Sequence, residues 1–559
     1  MQNIDLVFLW HMHQPDYRDH AEGGEFVLPW VYLHAIKDYS DMAAHLEQHP
    51  KVRAVVNFVP VLLEQIEDYA SQCEGSIWRD PLLRLLAAPA GTTLSAAERT
   101  QILDACFLAN REKMLDPFPD YQRLHTLFET LGDVGLSDYF SDAYYFDLLV
   151  WYHLAWSGES ERRSEPLLPK LIAKGHGFDE ADRRALLDWI GRTLRQLIPR
   201  YRALAQRGQI ELTATPQTHP LAPLLLDLRA GTETLPYAPQ PEATAYPGGA
   251  ERVQHHIAAA QASHAQRFGA PPVGMWPAEG AISTAFAKQI AAAGVRWIAS
   301  GEGVLNNSLN KAGMRVAHPA WQPWQLADTP GLTLFFRDEH LSDLIGFEYG
   351  KWHSGDAARH FVDQINNTAT LVPREEDGRR PMVAVMLDGE NAWEYYPYNG
   401  WYFFKELYGL LEQNDTIRTT TFSDLLAGQE MPHAELPALV AGSWVYGTLS
   451  TWIGEPAKNH AWDLLVAAKQ AYDSRIDTLS PEQKAAAAKQ LAVCESSDWF
   501  WWFGDYNPGP SVQRFDRLYR RNLANLYRCL LLEPPAVLDT PISGGGGAAE
   551  GGGTMRRAS

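Results

Sequence analysis

Short apolar segments recur from the N-terminus to about residue 420, and helical patterns separate most of them. They centre near residues 5, 53, 210, 273, 296, 333, 383 and 418. An uninterrupted apolar run, such as the one from Val383 to Leu387, is typical of a strand buried on both faces, as in a parallel sheet. Alternation of such strands with helices predicts an α/β fold, and seven or eight strand–helix units are enough for a parallel barrel.

The composition favours a large protein that acts on a neutral partner. The chain has 559 residues, of which 46% are hydrophobic, so a substantial core and two domains are expected. The net charge of −20 argues against nucleic acid and against anionic membranes as partners. No apolar run approaches the ~20 residues that span a bilayer. The four cysteines show no paired or metal-binding spacing, which predicts free thiols in a reducing cytoplasm.

The pattern divides the chain into three parts. Residues 1–430 are predicted to form the barrel, with a helical insertion at about 61–170. Residues 431–535 are predicted to form a C-terminal helical domain that contributes an aromatic loop to the cleft. The Gly-rich tail at 536–559 is predicted to be disordered.

Acidic and aromatic residues follow two of the predicted strands. Asp388, Glu390 and Trp393 come directly after the strand at 383, and Glu279 follows Trp276 after the strand at 273. Barrels build catalytic sites from residues at such strand ends. A predicted helix begins at about 281, so its dipole would favour the ionised form of Glu279. The alternative for both positions is an acid that only caps a helix.

Polar residues also follow the first strand, where His11 and His13 point the same way at positions i and i+2. One interpretation is a metal site, and the other is hydrogen bonding to a substrate or a neighbouring acid. We favour the second, because no nearby cluster of acids or cysteines completes a metal ligand set. Gln14 shares this polar turn. Glu211 lies inside a predicted strand and must face a polar partner, and His219 lies in the loop that follows.

Five segments, taken together and in order, resemble the five motifs of glycoside hydrolase family 57. They are His13-Gln14-Pro15, the stretch from Gly208 to Glu211, Trp276 to Glu279, Leu387 to Asn391, and Gly447 to Gly454. The resemblance extends from Leu6 to about Leu532. It implies an incomplete parallel (β/α)7 barrel with a C-terminal α-helical domain, and it implies action on α-glucans with retention of configuration. The wording of the third and fourth motifs is most similar to the α-amylase and amylopullulanase branch.

The resemblance implies that Glu279 is the nucleophile and Asp388 the general acid/base. Such a reaction needs one ionised carboxylate and one protonated carboxyl, and burial at a strand end is expected to raise the pKa of Asp388. No metal or organic cofactor is required. The predicted substrate-binding residues are His11, His13, Gln14, Glu211, Trp276, Glu390, Trp393, Trp444 and Trp452.

Four functions remain open at this point. The first is a retaining hydrolase of α-1,4 glucosidic bonds, with α-1,6 bonds as a second target. A 4-α-glucanotransferase would use the same two acids and differ only in the acceptor. A non-catalytic α-glucan-binding protein is the third, although the presence of both acids counts against it. The fourth is a metal-dependent hydrolase centred on His11 and His13. The sequence does not determine the oligomeric state.

Overall fold

A computed structural model describes residues 4–21, 23–131, 139–371, 380–427 and 434–547. Its centre is a sheet of seven parallel strands, numbered here in chain order. They are β1 Ile4–Met12, β2 Ala54–Phe58, β3 Ile210–Ala214, β4 Gly274–Met275, β5 Trp297–Gly301, β6 Thr333–Arg337 and β7 Met382–Asp388. In space the order is β7-β1-β2-β3-β4-β5-β6. The architecture is the predicted incomplete parallel barrel.

The barrel is incomplete because β6 and β7 form no ladder with each other. A backbone hydrogen bond links the two strands, donated by the Asp338 amide, directly after β6, to the Ala384 carbonyl at 2.8 Å. The Arg337 Nε adds a second link by donating to the Met386 carbonyl at 2.9 Å. Two hydrogen bonds, one from a backbone amide and one from a side chain, therefore connect β6 and β7 where a closed barrel would have an eighth strand.

The side chains along each strand point alternately into the barrel interior and towards the surrounding helices. Every residue of β1 is buried, but only Val7 and Leu9 of this strand join the compact cluster inside the barrel. Met382, Ala384 and Met386 of β7 join the same cluster. Since side chains alternate along a strand, the next inward positions are His11 on β1 and Asp388 on β7. The apolar runs thus carry polar residues into the barrel mouth.

Helices connect the strands and cover the barrel. Between β1 and β2 lie Trp30–His34 and Ser40–Gln48, joined by a π-helical turn at Ala35–Tyr39. Between β2 and β3 the helices are Pro60–Gly75, Pro81–Leu86, Ala96–Cys106, Pro119–Leu131, Asp142–Ala155, Glu159–Ser164, Leu167–Lys174 and Glu180–Gln206. Later connections contain Ala222–Leu226, Gly249–Phe268, Thr284–Ala292, Glu302–Lys311, Glu339–Asp343 and Ser354–Leu371. Trp401–Glu412 and Phe422–Ala427 follow β7.

The segment predicted as the eighth barrel strand is not one of the barrel strands, although it pairs with β1. Ile417–Thr419 pairs in parallel with the start of β1, through Ile4 to Leu6, whereas β2 pairs with the end of β1. Beyond β6, the short strands Trp324–Leu326 and Ala434–Leu436 extend the sheet. The chain therefore returns to the sheet after the predicted boundary at 430. A small hairpin, Arg18–Asp19 with Glu25–Phe26, stands apart.

The C-terminal region is helical and packs across the barrel mouth. Its helices are Pro456–Arg475, Pro481–Cys494, Asp498–Trp502 and Gly509–Cys529. The predicted disorder of the tail is wrong for residues 536–547. Ala536–Asp539 forms a 3-10 turn, and the backbone amide of Ile542 donates to Asp516 at 2.7 Å. These contacts hold that part of the tail on the last helix. Residues 548–559 lie outside the described residues.

All four cysteines carry free thiols. Among the helices that the structure describes, none is both long enough and apolar enough to cross a bilayer.

Candidate active site

A cavity of about 140 Å³ opens at the carboxyl ends of the barrel strands. Its walls combine carboxylates, histidines and aromatic rings, as expected of a ligand site in a parallel barrel. Of the predicted site residues, the cavity is lined by His11, His13, Gln14, Glu279, Asp388, Glu390 and Trp444. The tertiary structure therefore brings the two predicted catalytic acids, about 110 residues apart in the chain, into one cleft.

Asp388 ends β7 in a setting that favours its protonated form. Burial raises the pKa of its carboxyl to about 6, although Asn391, His13 and Arg337 all favour the anion. Asn391 donates to Asp388 Oδ2 at 2.8 Å. The predicted rise in the pKa of Asp388 is therefore confirmed, and its cause is desolvation at the end of a buried strand.

Glu279 is held in a strained turn rather than at a helix start. The following helix, Thr284–Ala292, begins five residues later and is capped by Ser283. The predicted effect of a helix dipole on Glu279 is therefore wrong. Its φ is +56°, in the left-handed region that costs a non-glycine residue about 1–3 kcal/mol. Such strain persists where the surroundings fix the backbone, and it is concentrated at functional sites.

Trp444 orients Glu279 from the loop that covers the mouth. Its indole Nε1 donates to Glu279 Oε2 at 3.1 Å, and its backbone amide donates to the Glu279 carbonyl at 3.2 Å. A hydrogen bond donated to a carboxylate favours the ionised form. The same turn continues through Gly280, also at φ +56°, where an added Cβ would lie 3.1 Å from the Trp276 ring. The sequence thus needs a small residue directly after the acid.

Three histidines stack along one wall of the cleft. The ring centroids of His13 and His219 are 3.9 Å apart, and those of His11 and His219 are 5.1 Å apart. Burial, together with the neighbouring histidines, lowers the pKa of His11 to about 3 and the pKa of His219 well below its usual value. These two rings are therefore neutral.

The hydrogen bonds assign the protons of this stack. Asn57 Oδ1 can only accept, so His11 Nδ1 donates to it at 2.7 Å. The His11 Nε2 then accepts from His219 Nε2 at 3.2 Å, and Ser497 Oγ donates to His219 Nδ1 at 2.8 Å. His13 Nε2 lies 2.9 Å from both carboxylate oxygens of Asp498.

Residues 7–438 match the family profile described as Glycosyl hydrolase family 57. This match covers well over half of the chain, including both acids and the barrel from residue 7 onward. The chain belongs to glycosyl hydrolase family 57. The predicted family membership is therefore confirmed.

Three solved enzyme structures have a similar fold. A branching enzyme from Thermococcus kodakaraensis is 16% identical, with a TM-score of 0.58 over 95% of this chain and 90% of that one. The α-amylase AmyC from Thermotoga maritima is 14% identical, with a TM-score of 0.55 over 95% and 94%. A 4-α-glucanotransferase from Thermococcus litoralis is 15% identical, with a TM-score of 0.53 over 94% and 60%. No curated protein sequence matches the chain significantly.

Four predicted substrate-binding residues do not line this family 57 cleft. Trp276, Trp393 and Trp452 are almost completely buried. Glu211 lies inside the barrel, where it accepts from Trp297 Nε1 at 2.8 Å and from the Ser423 amide at 2.9 Å. The prediction of direct sugar contact is wrong for these four in this structure. Sequence shows which residues are aromatic or acidic, but packing decides which face of a strand or loop meets the cleft.

Trp276 and Trp393 contact residues in and next to the cleft wall. Trp276 packs edge-on against Trp444 at 5.1 Å, and Trp393 Nε1 donates to the Gly389 carbonyl at 2.9 Å, directly after Asp388. Trp452 belongs to the main hydrophobic core instead. The first two therefore position residues of the cleft without touching its contents.

Several cleft residues were not among the predicted ones. Arg337 ends β6, so the strand-end argument that selected Asp388 also applies to it. The segment that begins with Asp498 is too aromatic to face water, and it supplies Asp498, Trp501 and Trp502 to the wall. Phe515 stacks on Trp502, with the ring centroids 4.5 Å apart. These residues come from the C-terminal helices, whose docking the sequence pattern does not specify.

The metal alternative was centred on His11 and His13, whose rings are also stacked, with centroids 5.8 Å apart and 27° between their planes. His13, His219 and Asp498 bring ligand-type atoms within 4.8 Å of one another. However, the two rings are stacked with only 25° between their planes. Imidazole binds a metal through a lone pair in the ring plane, so the lone pairs of stacked rings run side by side and do not converge on one ion.

Proposed function

We propose that the protein is a retaining glycoside hydrolase of α-1,4 glucosidic bonds, with Glu279 as the nucleophile and Asp388 as the general acid/base. The observation that carries the proposal is the contrast between two acids in one cleft. Burial raises the pKa of Asp388 to about 6, whereas Glu279 accepts a hydrogen bond from the Trp444 indole. One acid is thus suited to donate a proton and the other to attack.

In the first step, a carboxylate oxygen of Glu279 attacks the anomeric carbon while Asp388 protonates the departing glycosidic oxygen. The products are a covalent glycosyl ester on Glu279 and a free chain end. In the second step, Asp388, now ionised, takes a proton from the acceptor, and the acceptor oxygen displaces Glu279. Two displacements at one carbon retain its configuration.

The cleft walls suit an α-glucan chain. Trp444, Trp501 and Trp502 offer flat apolar faces on which glucose rings can stack. Gln14 and Arg337 offer polar groups for hydroxyls. Enzymes named as branching enzyme, α-amylase and 4-α-glucanotransferase share this fold, which supports α-glucan as the substrate class. The four free thiols support a reducing, cytoplasmic setting.

Transfer to a second sugar, as in a 4-α-glucanotransferase or a branching enzyme, is the alternative. Two apolar rings in the cleft wall, Phe515 and Trp502, favour transfer, because such a surface binds the apolar face of an acceptor sugar better than it binds water. The chemistry on Glu279 is identical. The acceptor of the second step alone separates the two activities.

Product analysis distinguishes hydrolysis from transfer. We expect incubation with maltoheptaose to create new reducing ends and short products, and pullulan cleavage would add α-1,6 bonds to the targets. A ladder of longer and shorter chains without new reducing ends would replace the hydrolase proposal by the transferase. No change in either substrate would contradict an α-glucan enzyme and support a binding protein. Reducing-end assay and chromatography of the products measure these outcomes.

Activity is expected to survive removal of divalent metals. Neither acid in the proposed mechanism needs a metal, and the stacked His13 and His219 rings do not converge on one. Turnover of maltoheptaose after prolonged EDTA treatment should therefore equal that of untreated enzyme. A loss of activity that zinc or another divalent ion restores would instead support a metal-dependent hydrolase.

A further inference from the structure

One arginine of the cleft wall has contacts that the proposed reaction does not explain. Arg337 ends β6, lines the cleft and is only 5% exposed. Burial of a guanidinium group costs free energy unless its N–H groups and its charge find partners. The partners of Arg337 therefore indicate what a buried cation does at this position.

Two of these partners hold the guanidinium group across the open side of the barrel. Its Nε donates to the Met386 carbonyl at 2.9 Å, two residues before Asp388 on β7. Its Nη2 donates to Asp343 Oδ1 at 2.7 Å, in the short helix that follows β6. Because the group is planar and rigid, bonds to two different elements fix its orientation as well as its position.

A third partner is the ring of Trp444. The guanidinium carbon of Arg337 lies 5.7 Å from the centre of that ring, within the range of a cation–π interaction. The indole of Trp444 is also the group that donates to Glu279 Oε2. Through Trp444, Arg337 therefore supports the orientation of the proposed nucleophile.

The charge of Arg337 also acts on the other acid. Burial raises the pKa of Asp388, whereas the charges of His13 and Arg337 oppose that rise and the charge of Asp498 adds to it. His13 and Asp498 are only 2.9 Å apart, so their effects on Asp388 oppose each other. Glu390 faces Asp388 as well, but burial raises its pKa well above the ordinary value, so it is neutral. The cation of Arg337, by contrast, is present throughout the neutral pH range.

We propose that Arg337 is a positioning residue for both acids of the proposed reaction. It holds Trp444 against Glu279, fixes the end of β7, and places a permanent positive charge beside Asp388. The inference rests on the roles proposed above for the two acids. Retention requires Asp388 to donate a proton in the first step and to accept one in the second. A fixed cation beside Asp388 stabilises the anion that the second step needs.

The protonation of Asp388 gives a readout that packing alone would not change. Difference infrared spectra against Asp388→Asn follow this carboxyl as the pH is raised, with no substrate present. For the unaltered protein we expect a midpoint at about 6. Arg337→Gln should move the midpoint to higher pH by about 0.5 to 1 unit, because the neutral amide no longer favours the anion. Arg337→Lys keeps the charge and should leave the midpoint where it is.

Kinetics on maltoheptaose test the positioning of the two acids. Arg337→Lys loses the planar guanidinium group and should lower kcat by about 10-fold, with KM changed less than about twofold. Arg337→Gln should lower kcat at least as far. In that variant the alkaline limb of kcat/KM should also move to higher pH, together with the infrared midpoint.

Arg359→Gln is the matched control, since Arg359 is exposed on the helix Ser354–Leu371, and it should behave as the unaltered protein does. Thermal melting checks that each variant is folded. An unmoved infrared midpoint in folded Arg337→Gln overturns the proposal, and so does full activity in Arg337→Lys. The lysine variant decides the question if Arg337→Gln does not fold. Absence of turnover by the unaltered protein would contradict the proposed function instead, and the infrared midpoints would still test Arg337.

Discussion

Glu279→Gln is expected to lower turnover of a maltooligosaccharide by about 10⁴-fold or more, because the amide cannot attack the anomeric carbon. The shape of the side chain and its contact with Trp444 are kept, so binding of the glucan should change little. Turnover by reducing-end release and binding by calorimetry measure the two effects separately. Glu406→Gln is the matched control, since Glu406 is exposed on a helix away from the cleft, and it should be fully active.

A rescue experiment separates a nucleophile from a residue that is merely necessary. In Glu279→Gly, azide can enter the vacated space and attack the anomeric carbon of an α-glucosyl fluoride from the face that Glu279 occupied. The expected product is a β-glucosyl azide, of inverted configuration, formed at a rate that rises with azide concentration. Retained activity in Glu279→Gln, or rescue that yields an α-azide, would contradict the assignment of Glu279.

Asp388→Asn is expected to lower turnover of maltooligosaccharides by about 10³-fold, because the leaving oxygen no longer receives a proton. Formation of the glycosyl ester from α-glucosyl fluoride should fall much less, since fluoride departs without protonation. Comparison of the two substrates by pre-steady-state kinetics measures the difference. An equal loss on both would contradict the role of Asp388 as the general acid.

The pH profile gives an independent test of Asp388. Its carboxyl must be protonated in the first step, and its pKa is about 6. For the unaltered enzyme, kcat/KM should therefore fall as the pH rises above about 6, and this limb should disappear in Asp388→Asn. The pKa of Asp388 in the folded state lies above its ordinary value of 3.8. Ionising Asp388 therefore lowers the stability of the folded protein as the pH rises above about 4. The variant should thus melt at the same or a higher temperature at pH 7, which excludes unfolding as the cause of lost activity.

The two acids differ in how much of their surroundings follows from the ends of the predicted strands. Asp388 was predicted from an apolar run that stops on an acid, and both its position and the direction of its pKa shift follow from that run. Glu279 was predicted in the right place but for a wrong electrostatic reason. The helix expected at 281 begins at Thr284. A hydrogen bond from the Trp444 indole, and not a helix dipole, favours the ionised form of Glu279.

The sequence by itself determined the alternation of parallel strands with helices and the strand ends at which acids appear, because these depend on the local order of apolar and polar residues. It could not decide which aromatic rings face the cleft. Trp276, Trp393 and Trp452 were predicted to bind substrate, yet none of the three lines the cleft, whereas Trp501 and Trp502 do. The C-terminal helices dock across the barrel mouth through contacts between residues hundreds of positions apart, such as His13 with Asp498, and only the tertiary structure brings those partners together.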